Sequence, residues 1–287
     1  MKTNYFKIND FDLNREYNNY FWDRALSLPN EINRRLANGI NNRYEENYRI
    51  REEDLNIKLF HIFYILKKYV DAGDLSFPNN IWIGIHQYSM KFKNKIKKKG
   101  KDFGYISGDF DLLVGGLVGS TLQTDNIIGI ETKVFRYDVP DFNEDYKMIS
   151  DIPNLKEKYI RNDGIMPGLK QIISYKYFCN KVILFYIAIA RPAPSHIVIP
   201  QALNGDVIRK AMGQIKNKYK DKIVHIPDDV GFCISGIVQV PGKDSLDSGT
   251  PTTPDIIKNP SRHDGLLPDR EDFIDILQKR LERAETI

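Results

Sequence analysis

The run VILFYIAIA, residues 182–190, constrains the fold of this chain more than any other stretch. It is apolar throughout and rich in β-branched side chains, so as a strand it has no polar face to give to water. It therefore needs cover on both sides, which suits a central strand of a sheet. It is too short to cross a bilayer as a helix. A doubly covered strand flanked by helix-patterned segments predicts an α/β layered protein.

Helical and extended patterns alternate around that run. In LNIKLFHIFYILKKYVDAG, Leu55, Leu59, Phe63 and Leu66 recur at helical spacing, and a glycine follows the last turn. An earlier stretch, LPNEINRRLANGI, reads as a helix closed by Gly39. IWIGIHQY, 81–88, reads as a short strand. DFGYISGDFDLLVGG and NIIGIETKVFRY follow as two more, joined by the glycine-rich GGLVGSTLQTDN, which predicts a hairpin with a long turn. GLKQIISYKYFCN, 168–180, predicts a helix with Leu169, Ile172, Ile173 and Tyr177 on one face. A helix near 203–220 and a strand, VGFCISGIVQV at 230–240, come after the apolar run. Residues 241–268 are rich in Pro, Gly and Ser and read as a linker or extended arm. The segment from 269 to 287 reads as an amphipathic helix, acidic first and basic later, made for docking.

Cys179 and Cys233 are the only cysteines. Two are too few for a Cys-ligated zinc or iron–sulfur site, and both lie in apolar contexts, as buried thiols do in a reducing cytosol. The first residues carry no apolar core of the kind a signal peptide needs, so the expectation is a soluble cytoplasmic protein. The net charge of +4 permits a polyanionic partner without requiring one. Lys91, Lys93, Lys95, Lys97, Lys98, Lys99 and Lys101 crowd one short stretch. Such a run is ordinarily a solvated surface. Its place just before the predicted hairpin marks Lys95, Lys97, Lys98, Lys99 and Lys101 as candidate phosphate contacts. Tyr88, Phe92 and Phe103 interleave with it and could stack on bases. There is no P-loop, nucleophile elbow or dinucleotide fingerprint.

Glu131 and Lys133 interrupt an otherwise apolar strand, IIGIETKVFRY. Buried charge is costly unless it is paired, bound to a metal or used. Alternation puts Glu131 and Lys133 on one face and Ile128, Ile130, Thr132 and Val134 on the other. Asp109 and Asp111 share a face by the same rule. If the two strands pair, Asp111 and Glu131 converge and can hold a divalent cation. Magnesium suits such a place because it keeps several waters and needs few carboxylates. An E-x-K triplet or an acidic pair alone is usually a solvated face. The combination with Gly108 before Asp111, and with Gln171 and Tyr175 on the following helix, is more telling.

G-x-x-D, then E-x-K, then Q-x-x-x-Y, in that order, resembles the PD-(D/E)XK nuclease superfamily. It looks closest to RecB-like nuclease domains and phage-type exonucleases. The resemblance covers about residues 50–200. It implies a restriction-endonuclease-like mixed sheet flanked by helices, an αβββαβ core with extra N- and C-terminal helices, in a nuclease-like domain over 1–240. It also implies a Mg²⁺-dependent nuclease, with Mn²⁺ as a substitute, that hydrolyses phosphodiester bonds in DNA. Asp111 and Glu131 would bind the ion, with Thr132 in the same metal set, and Lys133 would help position the attacking water. Gln171 and Tyr175 would contact substrate or support the site. A further ligand would come from the preceding helix, Glu53 ahead of Glu52 or His61. Asp109 stands as an alternative to Asp111, and the segment between Asp111 and Glu131 is longer than a compact hairpin needs. RNA as substrate is one rival expectation. A catalytically weak binding or assembly module using the C-terminal tail is another.

Overall fold

The computed structural model describes residues 5–14, 66–67, 69–73, 75–91, 96–98, 101–103, 107–138, 160–161, 165–191, 213, 217, 223–238, 255–261 and 270–286. Its strands are β1 (Tyr5–Ile8), β2 (Ile81–Lys91), β3 (Ile96–Lys98), β4 (Lys101–Phe103), β5 (Ser107–Val118), β6 (Thr121–Asp138), β7 (Ile160–Arg161), β8 (Lys181–Arg191), β9 (Val230–Val238), β10 (Asp255–Lys258) and β11 (Glu285–Thr286). Helices α1 (Ile165–Tyr175) and α2 (Arg270–Leu281) lie whole within the described residues.

The apolar run is β8, and it lies between β6 and β9, parallel to both. Val182 to Tyr186 are all buried, as a strand covered on both faces requires. Around it a mixed sheet of nine strands runs β10-β9-β8-β6-β5-β2-β1-β11, with β7 added to β6. Parallel neighbours need a crossover, and α1 supplies it between β6 and β8. β2, β5 and β6 are joined by antiparallel pairing. The chain is therefore an α/β protein built on one mixed sheet.

Apolar side chains fill both faces. Leu113, Leu184, Tyr186 and Phe232 pack under α1 and α2 through Leu169, Ile172, Phe273 and Leu277. Leu112, Val114, Ile128, Ile130 and Ile183 face the other way, against Phe6, Phe11, Leu66 and Tyr69. Leu66, Tyr69 and Val70 belong to the helix predicted from Leu55; residues 55–65 of it lie outside the described residues, as do the helix predicted up to Gly39 and most of the one near 203–220. Cys179 and Cys233 are buried free thiols, and burial pushes both well above the ordinary thiol range. No helix among the described residues is long and apolar enough to cross a membrane.

Several sequence expectations change. The glycine-rich joint between β5 and β6 is strand nearly to its tip, with a register shift between Gly115 and Leu117 and a two-residue turn at Gly119 and Ser120. Gly119 has φ of 60°, which the primed hairpin turns require and most side chains resist. The apparent excess length before Glu131 is therefore ladder. On α1 the buried face is Leu169, Ile172 and Tyr175; Ile173 is exposed, and Tyr177 lies beyond the last turn. The lysine-dense stretch holds the small antiparallel pair β3–β4. Within 241–268, residues 255–258 form an edge strand on β9.

Candidate active site

β5 and β6 part company at one point. Their pairing runs from Val118–Thr121 to Leu112–Ile130. Beyond it β5 continues along β2 to Ser107, while β6 continues along β8 to Asp138. Asp111 and Glu131 are the residues immediately past that last pair, and the Asp111 charge is felt at the Glu131 carboxyl. At the parted edge Asp111 Oδ2 accepts the backbone N–H of Thr132 at 2.8 Å. A side-chain carboxylate thus takes a bond that a neighbouring strand would otherwise supply, and it is anchored beside Glu131. The Thr132 carbonyl points to the same side of the strand as its N–H.

Glu131 is fully buried. Lys133, two residues on and on the same face, brings its Nζ to 2.6 Å from Glu131 Oε1. The Tyr175 hydroxyl donates to Oε2. Oε1 has no partner among the described residues beyond the Lys133 ammonium. Burial and then the nearby Asp111 charge raise the Glu131 carboxyl to about 8, while Lys133 and Tyr175 pull the other way. Burial prevails. The ion-pair geometry and the raised value describe one group that takes a proton near neutrality and ionises readily once more positive charge arrives. Burial, and next the charge on Glu131, also hold the Tyr175 phenol well above its usual range, so it stays a donor.

Helix α1 delivers Tyr175 because it lies close to β6. A Cβ at Gly129 would come within 2.8 Å of Cys179 Sγ and 3.3 Å of the Tyr175 ring, so the missing side chain makes room for both. Phe110 packs on the Tyr175 ring with centroids 4.3 Å apart. At the end of α1, Asn180 locks the helix to β6. Its N–H donates to the Ile127 carbonyl at 2.8 Å, and its Oδ1 accepts the Ile127 N–H at 2.9 Å.

The structure brings Asp111, Glu131, Thr132, Lys133 and Tyr175 together. The Thr132 side chain is buried on the far face by alternation, so its backbone is what it offers the fork. Gln171 is half-buried one turn before Tyr175 and, among the described residues, joins none of these contacts. Glu52, Glu53, His61, Lys95 and Lys99 lie outside the described residues. Lys97, Lys98 and Lys101 fall on the β3–β4 pair, where Lys98 stands opposite Lys101. Sequence reasoning missed Tyr186, the β8 register neighbour of Lys133, which is buried on the α1 side of the sheet. Its signal was present: it is the only hydroxyl in the apolar run.

Among the described residues no group of three or more His, Cys, Asp or Glu gathers as a metal centre. The donors at the fork are two carboxylates and a backbone carbonyl. All are hard oxygens, and a buried carboxyl raised towards neutrality gains from a cation. This set fits a small divalent ion that completes its shell with water.

No family model, curated protein or solved structure matches this chain.

Proposed function

We propose that the protein is a Mg²⁺-dependent nuclease that hydrolyses phosphodiester bonds, with DNA as its substrate. The observation that supports this most directly is the meeting of Asp111, Glu131 and Lys133 where β5 and β6 diverge. The reading also draws on the mixed sheet in which that fork sits, where β2, β5 and β6 pair antiparallel and β8, after α1, runs parallel to β6. Asp111, Glu131 and the Thr132 carbonyl would hold the ion, which when bound supplies a Lewis acid for a phosphodiester oxygen. Tyr175 fixes the Glu131 carboxylate by donating to one oxygen. Lys133 holds a protonated amine at the same place, positioned to orient a water or to donate to a phosphate oxygen. The lysines of β3 and β4 extend positive charge along the chain just before β5, where a polyanion would be drawn.

The test is cleavage of labelled DNA by purified protein with Mg²⁺ or Mn²⁺, beside matched RNA. The expected result is metal-dependent cutting of DNA that falls by about 100-fold or more in Glu131→Ala and Lys133→Ala. Wild-type protein that cuts nothing, or variants that cut as well as wild type, would sink the proposal. Preferential cutting of RNA would reassign the substrate.

A further inference from the structure

Gly168 stands in the first half of α1, where a glycine is unfavourable relative to alanine. Its backbone is not in the left-handed region, so conformational freedom does not explain it. Space does. A Cβ there would lie 2.9 Å from Lys133 Cγ, 3.4 Å from Lys133 Cε and 3.1 Å from Leu184 Cδ1. The lysine chain occupies the place a side chain at 168 would take. Gly168 precedes Tyr175 by seven residues, close to two turns, so both stand on the face turned to β6. One end of that face covers Lys133, and the other donates to Glu131.

We propose that Gly168 is a positioning residue. By letting α1 press on the methylene chain of Lys133, it holds the ammonium over Glu131. On the nuclease reading above, on which the functional part of this inference rests, that contact sets where the amine meets the reacting phosphate.

The experiment is a cycle of Gly168→Ala in three backgrounds: wild type, Lys133→Met and Lys133→Ala. Thermal unfolding is followed without metal or nucleic acid. Methionine keeps the chain and drops the charge; alanine removes both. Gly168→Ala should lower the midpoint by about 3 °C or more in wild type and in Lys133→Met. It should leave Lys133→Ala unchanged or raise it, because helix propensity then favours alanine. An equal loss in all three backgrounds would trace the contact to Leu184 alone and overturn the inference. If Lys133→Ala does not fold, reductive methylation of Lys133 in folded Gly168→Ala protein decides: a severalfold faster rate supports the proposal, and an unchanged rate overturns it. In the cleavage assay the proposal expects Gly168→Ala to lose kcat with KM preserved, while a loss confined to KM contradicts it. Failure of wild type to cut any nucleic acid ends the nuclease reading, whereas the cycle and the labelling still establish what holds Lys133.

Discussion

A carboxyl that titrates near 8 in the folded, metal-free protein makes stability depend on pH through Glu131. Unfolded, the group returns to its ordinary value of 4.5, so between 4.5 and 8 the native state holds a proton that the unfolded state has released. The stabilisation is fully present below the lower value and is lost as pH rises through the upper one. In the middle of that window the slope approaches ~1.4 kcal/mol per pH unit. Urea unfolding of metal-free protein from pH 5 to 8 should therefore show stability falling, and Glu131→Gln should flatten the fall. Equal slopes in the two proteins would place the Glu131 carboxyl at an ordinary value. Tyr175→Phe should move the loss to higher pH still, because the phenol is one of the groups that pulls the carboxyl down. Much of this cluster was legible in sequence. Period-two alternation puts Glu131 and Lys133 on one face, and the order of motifs names Tyr175. The Thr132 amide was not legible, because its bond to Asp111 depends on where two strands separate, and nothing in residue identity marks that point.

Elements decide how closely the cluster is held. α1 and β6 approach through two glycines, one on each element, Gly168 over Lys133 and Gly129 under Tyr175 and Cys179. Gly129→Ala should destabilise the protein by about 1–3 kcal/mol, as overpacking of a full core does. It should also weaken the Tyr175–Glu131 contact, seen as an upward shift in the pH window for stability. Wild-type stability in that variant would mean the helix can lift at no cost. The sequence located α1 but tilted its face, because Ile173 and Tyr177 fit an apolar stripe as well as Tyr175 does. Periodicity weighs hydrophobicity alone, whereas the real face is chosen by a phenol that needs an acceptor. The β5–β6 turn was misjudged for a related reason. Glycines usually punctuate loops, but Gly115 and Gly116 lie in the ladder, where Trp82 and Gln123 fill the space their side chains would take.

At the scale of the whole molecule, the apolar run together with the helix- and strand-patterned segments around it gave the α/β class, while the extent of the sheet stayed hidden. β1, β10 and β11 span four, four and two residues. Strands that short carry no readable period, and β1 and β11 pair from far apart in sequence, with Phe6 beside Glu285. The same blindness affected the C-terminal helix. Amphipathicity shows that an apolar face needs cover and does not say what covers it. In the structure the cover is the protein's own sheet. Phe273, Leu277 and Leu281 are fully buried, and Phe273 packs against Phe178 and Phe110. Arg270 donates to the carbonyls of Phe178 and Thr124 and to Asn180 Oδ1, which ties α2 to the end of the α1–β6 unit where Asn180 pairs with Ile127. Each fully buried side chain of this size is worth about 1.5–3 kcal/mol. Losing all three would cost an amount comparable to the ~5–15 kcal/mol net stability of a typical domain. A chain ending at residue 268 should therefore lose its cooperative urea transition and bind a hydrophobic dye at pH 7, with Tyr175 no longer held at Glu131. A truncated protein that unfolds cooperatively at the full-length midpoint would show that α2 only rests on the sheet, and its apolar face would then be available to a partner after all.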